Sequence, residues 1–178
     1  RQDSVLNDLA HLREFIESLG ANSVEEARDR ESCEAIWKLR REFSYSLRDT
    51  GLIKLNEDIV VPRSKLVDLV KFARSLEEQT GIPVACFGHA GDGNIHTNLM
   101  VKDYDVDEAA REKADSALDI LFKWIVENDG QITGEHGVGL AKKRWFKEAV
   151  SPVSSKIHRD LKATLDPNGI LNPGKFIE

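Results

Sequence analysis

The sequence predicts an α+β fold in which helices pack against an antiparallel sheet. Amphipathic helical patterns recur along the 178 residues, whereas only a few short segments have the composition of strands. Two of these segments, Val84–Gly88 and Asn94–Val101, are close enough along the chain to form a hairpin. Few strands with a hairpin among them favour an α+β sandwich over a doubly wound parallel sheet.

Five segments carry apolar residues at the spacing of a helix. Gly20 follows the first of them, as expected at a helix C-terminus. Ser64 is expected to cap the third, and Ser151 followed by Pro152 is typical of the start of the last. The predicted helices cover residues 3–19, 32–48, 65–80, 107–128 and 152–165.

Strand-like composition also occurs in four shorter segments. They are residues 22–27, 52–55, 58–61 and 131–133. Together with the hairpin and the helices, these segments predict a ferredoxin-like α/β sandwich.

The charge balance excludes some classes of partner. The net charge of −6 argues against a broad surface for nucleic acid or anionic membrane, because both require a basic patch. The basic cluster AKKRW at residues 141–145 is short, and we interpret it as a solvated helix face. No segment approaches the ~20 apolar residues of a membrane span.

The two cysteines and the start of the chain bear on its cellular context. Cys33 and Cys86 form no CxxC motif, which favours two buried, reduced thiols over a disulfide. We therefore expect a cytoplasmic protein, or one held at the periphery of the inner membrane by its partners. No signal peptide is visible at the start of the chain. Because the chain opens on Arg1, not Met, and already inside a helical pattern, we expect it to be part of a longer polypeptide.

Two histidines flank a glycine-rich turn in the hairpin. If Asp92-Gly93 forms a two-residue type I′ turn, His89 lies directly opposite His96 with Cβ atoms ~5 Å apart. Asn94 and Asn98 then share that face of the sheet. Two imidazoles at this separation can bind one divalent metal such as Zn²⁺, although a catalytic site needs a third ligand. The alternative is a tight hairpin whose histidines only form hydrogen bonds.

A second glycine-rich segment, TGEHGVG, occupies residues 133–139. It matches neither the GxGxxG pattern nor a P-loop. Glu135 could complete a His-His-Glu metal set, and His136 would then be free to act as a general base because adjacent side chains diverge. The alternative is a glutamate and a histidine on a solvated turn.

Three motifs in this order resemble the C-terminal domain of FAD-linked oxidases, a family whose members oxidise D-lactate, D-2-hydroxyglutarate and glycolate. They are GHAGDGNIHTN at residues 88–98, GEHGVG at 134–139 and DPNGILNPGK at 166–175. The runs WKLRR at 37–41 and EDIVVP at 57–62 also fit, so the resemblance covers nearly the whole chain.

The resemblance implies that residues 1–178 are a cap and substrate-binding domain, and that a separate N-terminal domain binds FAD. Because the flavin-binding half is missing, we expect the chain alone to bind FAD poorly and to be inactive. The implied roles are metal ligation by His89, His96 and Glu135, base catalysis by His136, substrate binding by Arg40, Asn98 and Lys54, and a cofactor contact by Asn172.

The function implied is oxidation of a D-2-hydroxy acid to the 2-oxo acid, with hydride transfer to FAD and a divalent metal, Zn²⁺ by ligand type. The expected partners are the N-terminal FAD domain and an electron-acceptor protein or iron–sulfur subunit, and no nucleic acid. The residues alone leave two alternatives open. One is a metal-dependent hydrolase that uses the His-His-Glu site, and the other is a non-catalytic ligand-binding module.

Overall fold

A computed structural model describes residues 2–175 and 177, apart from the side chains of Gln2 and Asp3. The chain divides into two structural units, Arg1–Ser46 and Leu47–Glu178. The predicted functional residues from Lys54 onward lie in the second unit, whereas Arg40 lies in the first.

The first unit consists of two helices, α1 (Gln2–Ser18) and α2 (Arg30–Ser46). Both were predicted, but α2 begins two residues early because the Asp29 carboxylate accepts a hydrogen bond from the Ser32 N–H at 2.8 Å. The strand predicted at residues 22–27 is wrong, since the described backbone there has no strand partner. Glu26 in that segment instead pairs with Arg13 and Arg28.

The second unit follows the order of a split βαβ fold. Its elements are β1 (Ile53–Val60), α3 (Leu66–Thr80), β2 (Val84–His89), β3 (Asn94–Val101), α4 (Glu108–Glu127), α5 (Lys143–Ala149) and α6 (Pro152–Leu165). The sheet has the order β1-β3-β2, and both neighbouring pairs are antiparallel. After α4 the chain returns to β1, where Gln131 forms an isolated antiparallel bridge with Val60. A single bridge thus stands where the fourth strand of a ferredoxin-like sheet would lie, and the predicted α+β class is confirmed.

Several predicted boundaries need correction. The two segments predicted at residues 52–55 and 58–61 are parts of one continuous strand, β1 (Ile53–Val60), because the polar residues between them pair with β3. Residues 131–133 form only the bridge at Gln131. Ser64 lies in a 3-10 turn before α3, where no described side chain caps the helix. Helix α5 was not predicted as a separate element.

One face of the sheet packs against α3 and α4 and forms the core. Alternation along the strands places Ile59, Ile95 and Leu99 on that face, all almost fully buried. Trp145 of α5 adds to this core by packing on Phe122 of α4, with ring centroids 4.3 Å apart. The helices contribute Leu69, Leu76, Ala114, Ala117, Leu118, Leu121, Phe122 and Ile125.

Two helix starts are as the sequence indicates. The Asp107 carboxylate accepts a hydrogen bond from the Ala109 N–H at the start of α4, and Ser151 caps α6 ahead of Pro152. In the part of the chain described, no helix combines the length and apolarity required to cross a bilayer.

Candidate metal and substrate site

The hairpin between β2 and β3 has a different register from the predicted one. His89 pairs with Asn94, and His96 pairs with Phe87, so the two histidines are diagonal neighbours. A type I′ turn requires positive φ at both Asp92 and Gly93, and only Gly93 has it, at 76°. The His89 carbonyl instead accepts the Asp92 N–H at 3.0 Å, which closes a longer loop.

The face of the sheet opposite the core is polar at one end. Asn94, His96 and Asn98 project from β3 on this face, and all three are buried. Asp58 of β1 lies opposite His96, so it shares the same face. His89 completes this polar end from β2, where it lies opposite Asn94.

His89, His96 and Glu135 come together at this end of the sheet. Each offers one ligand atom, and the three atoms lie within 4.8 Å of one another. His96 Nε2 is 3.5 Å from Glu135 Oε1, close to the roughly 3.3 Å between two ligands of a tetrahedral zinc ion. Burial lowers the pKa of His96, which favours the neutral imidazole that a metal requires. Two nitrogens and a carboxylate therefore fit a borderline divalent ion, and the metal itself stays a prediction.

His136 lies beside this cluster. Its ring is stacked on that of His96, with centroids 5.4 Å apart, and its Nε2 is 3.8 Å from Glu135 Oε1. The side chains of His136 and Glu135 are 45% and 57% exposed, so the site is open to solvent on one side. Next to it lies a depression of about 440 Å³ lined by Val60, His89, Asp92, Asn94, Gly134 and Glu135. Small molecules can therefore reach His136 and Glu135 from the solvent.

Asp58 organises the loop that carries Glu135 and His136, and the sequence reasoning missed it. Its Oδ2 accepts the backbone N–H groups of Gly134, Glu135 and His136 at 2.8, 2.7 and 2.8 Å. Burial alone would raise the pKa of Asp58, but the hydrogen bonds from the His136 N–H and the Asn94 amide outweigh it and hold the pKa well below its usual range. The available signal was an acidic pair, Glu57 and Asp58, directly before the apolar run at residues 59–61.

Lys142 supports the same loop from the core side. Its Nζ donates to the carbonyls of Asp58 and Ile132 at 2.9 and 2.7 Å and lies 3.5 Å from Glu57 Oε2. Burial lowers the pKa of Lys142 and raises that of Glu57, and each group's charge opposes the shift of the other. The interpretation of residues 141–145 as a solvated helix face is thus wrong for Lys142, which is 4% exposed, and for Trp145.

The remaining predicted residues lie outside this cluster, and their roles stay predictions. The Asn98 amide donates to the Ala85 and His96 carbonyls, while its buried Oδ1 has no partner among the described residues. Lys54 is on the same face of β1, roughly 13 Å along the strand from Asp58, and burial lowers its pKa. Arg40 is on α2 of the first unit. Asn172 has a φ of 47° in the C-terminal turn.

Comparison with known proteins identifies the family. The model of the FAD linked oxidases, C-terminal domain, matches residues 1–176. The chain belongs to this family. The predicted family membership is therefore confirmed over nearly the whole chain, and FAD is the cofactor that the family's name implies.

Named relatives of the chain include two dehydrogenases and an oxidase subunit. It is 38% identical over 140 residues to D-lactate dehydrogenase of Anaerostipes hadrus, covering 79% of the chain and 29% of the relative. It is 32% identical over 174 residues to glycolate oxidase subunit GlcD of Bacillus subtilis, covering 98% and 37%. It is 34% identical over 152 residues to the mitochondrial D-2-hydroxyglutarate dehydrogenase of Rattus norvegicus, covering 85% and 27%. The chain thus spans about a third of the length of these relatives.

Proposed function

We propose that this chain is the metal- and substrate-binding part of an FAD-dependent enzyme that oxidises a D-2-hydroxy acid to the 2-oxo acid. The observation that carries the proposal is the convergence of His89, His96 and Glu135 beside His136 in a chain of this family. Lactate, glycolate and 2-hydroxyglutarate, which the relatives' names mention, all carry a hydroxyl next to a carboxylate. A hydrolase with the same three ligands is a weaker candidate, because it does not account for the family match.

The three ligands would hold a divalent metal, with Zn²⁺ favoured by two imidazoles and one carboxylate. A bound metal would lower the pKa of the substrate hydroxyl as a Lewis acid, and FAD would accept the hydride. His96 is fixed by its buried position on β3, whereas Glu135 reaches the site from a loop. The ligand set therefore combines a rigid element with a loop whose backbone Asp58 holds.

His136 is proposed to take the hydroxyl proton at Nε2. Its exposed ring can meet a substrate that enters from the solvent side, and its stacking on His96 places it next to the proposed metal. Histidine is the side chain that most often acts as a general base. Proton removal at this ring would leave the C2 hydrogen free to depart as hydride.

Arg40, Lys54 and Asn98 are proposed to bind the substrate, with Arg40 holding a carboxylate through its planar guanidinium. Asn172 is proposed to contact the flavin. The partners proposed for the whole protein are an FAD-binding domain and an electron-acceptor protein or iron–sulfur subunit. The chain's share of the relatives' length, about a third, leaves room for such a flavin domain.

Metal binding is the first test of this proposal. Zn²⁺ is titrated by calorimetry into the full-length protein and into its His89→Ala/His96→Ala variant, followed by addition of D-lactate. We expect one site that the double substitution removes and that D-lactate tightens. Equal binding by both proteins would refute the assignment of the ligands.

Removal of the base is the second test. We expect His136→Ala to lower kcat/KM by about 10²–10⁴-fold, the usual range for a general base, while the metal content stays unchanged. The matched control is His11→Ala, since His11 is an exposed histidine on α1, and its rate should equal that of the wild type. A near-normal rate for His136→Ala would show that another group takes the proton.

A further inference from the structure

We propose that Asp58 is a positioning residue that sets the geometry of Glu135 and His136 through their backbone, without itself binding metal or substrate. This inference rests on the proposed function, because it concerns the same ligands and the same base. It adds a residue that lies on β1, more than 70 positions before the loop that it holds.

A single carboxylate oxygen accepts the hydrogen bonds that hold the start of the loop. Oδ2 of Asp58 accepts three consecutive backbone N–H groups, those of residues 134–136, all within 2.8 Å. It also accepts the Thr133 hydroxyl at 3.2 Å, and Thr133 Oγ1 in turn accepts the Gly137 N–H at 2.8 Å. Five successive residues of the loop are thus tied directly or through one hydroxyl to the same atom. This network fixes the directions in which Glu135 and His136 leave the backbone.

The second oxygen of Asp58 ties the loop to the strand that carries His96. Oδ1 accepts the Asn94 amide at 2.6 Å, and the same amide donates to the Ile59 carbonyl at 3.0 Å. Asn94 is two residues from His96 on the same face of β3. Asp58 therefore links the strand of one ligand to the loop of another.

The packing around Gly134 indicates that this arrangement leaves no spare room. A Cβ on Gly134 would lie 2.3 Å from Asn94 Nδ2 and 2.9 Å from Asp58 Oδ1. The absence of a side chain at this position lets the loop backbone reach the carboxylate. Hence the glycine in the GEHG sequence serves the contact with Asp58.

The contacts of Asp58 also exclude the two direct roles that a carboxylate near a metal could have. Both oxygens already accept hydrogen bonds, and the residue is 0% exposed. A ligand or a base needs an oxygen that can reach the metal or substrate. Asp58 instead acts through Glu135 and His136.

The test compares Asp58→Asn with the wild type in the full-length protein, using Co²⁺ binding and hydrogen–deuterium exchange. The variant keeps the shape but has one acceptor oxygen in place of two and no charge, so either the three loop N–H groups lose their acceptor or the Asn94 amide faces a second NH₂ group. We expect Co²⁺ affinity to fall about 10–100-fold, as for other residues that orient metal ligands, with an altered Co²⁺ absorption spectrum. Exchange of the amides in residues 134–136 should become faster. The control is Asp166→Asn, since Asp166 also accepts two backbone N–H groups, at Ile170 and Leu171, in a separate turn.

The outcomes separate this inference from the proposed function. If the wild type binds no Co²⁺, the metal proposal fails, and the exchange data then decide whether Asp58 holds the loop. Faster exchange with unchanged Co²⁺ affinity and spectrum would overturn the positioning role, because Asp58 would then support only the fold. Unchanged exchange in Asp58→Asn would overturn it as well.

A milder variant covers the case in which Asp58→Asn does not fold. Thr133→Val removes one of the donors to Oδ2 and the acceptor of the Gly137 N–H while it keeps the side-chain volume. We expect a roughly 2–10-fold loss of Co²⁺ affinity, because two hydrogen bonds of the network are lost while the three backbone N–H groups keep their acceptor. Wild-type affinity and spectrum in this variant would overturn the proposal.

Discussion

Replacement of Lys142 by Met should destabilise the second unit more than any change at an exposed lysine. Lys142 is 4% exposed, and its ammonium contacts two backbone carbonyls and the Glu57 carboxylate, which is itself 9% exposed. Met has a similar length and no charge, so the substitution keeps most of the packing. It leaves both carbonyls without their donor and the Glu57 carboxylate without its counter-charge.

The magnitude follows mainly from the broken ion pair with Glu57. Removing one partner of a buried ion pair costs about 3–5 kcal/mol, because the other charge stays buried and uncompensated. The pKa of Glu57 is already raised by burial, so this carboxylate would take up a proton more readily in the variant, which limits the loss. We therefore expect the free energy of unfolding to fall by about 3–5 kcal/mol, which corresponds to roughly 6–20 °C in Tm.

Urea denaturation at pH 7 measures this change, with Lys147→Met as the matched control. Lys147 is exposed on α5, the helix that begins directly after Lys142, and its replacement should change the stability by less than about 0.5 kcal/mol. In the double variant Lys142→Met/Glu57→Gln no buried charge is left unpaired, so the loss should be smaller than the sum of the two single losses by about 0.5–3 kcal/mol. Additive losses, or a loss below 1 kcal/mol in Lys142→Met, would refute the reasoning.

Two further predictions concern the loop and the C-terminal turn. Gly134→Ala should reduce the Zn²⁺ affinity measured by calorimetry at least about tenfold, because its Cβ would lie 2.3 Å from Asn94 Nδ2. The control is Gly91→Ala, which has open space around the new Cβ and should bind Zn²⁺ as the wild type does. The hydrogen bonds from Lys162 and the Leu171 N–H lower the pKa of Asp166 in the folded protein. The ionised carboxylate therefore stabilises the fold above the unfolded-state pKa of about 3.9, and this stabilisation is lost as pH falls through the lower pKa of the folded state. The difference in unfolding free energy between wild type and Asp166→Asn should therefore be present at pH 7 and shrink below about pH 4, and a constant difference across that range would contradict it.

The sequence predicts best those features that depend on neighbours along the chain. Helix α6 begins at Pro152 after the Ser151 cap and ends at Leu165, as its local signals indicate. The fold class follows in the same way, because amphipathic helices and a hairpin are local patterns. The strand predicted at residues 22–27 fails for the complementary reason, since a strand exists only if a partner lies beside it.

The residues that hold the site are those that local patterns do not reveal. Asp58 contacts residues 76 to 78 positions away, and Lys142 contacts a carbonyl 84 positions away. Composition suggests that a basic run is solvated, and only the folded structure shows that Lys142 points inward to Glu57. A buried charge becomes predictable once its partner is known, and here the partner comes from another element.

The predicted ligands His89 and His96 lie on one face of the sheet although the register that led to their prediction is wrong. The expected turn would make His89 and His96 direct partners, whereas the observed register shifts their pairing by two residues. Side chains alternate between the faces of a strand with a period of two, so a shift of two residues keeps every side chain on its face. A shift of one would have moved His89 to the core side, away from Glu135. The ligand prediction therefore depends on whether the hairpin loop has an even or an odd number of residues. Inserting one residue between Ala90 and Gly93 should abolish Zn²⁺ binding, whereas inserting two residues should retain part of the binding.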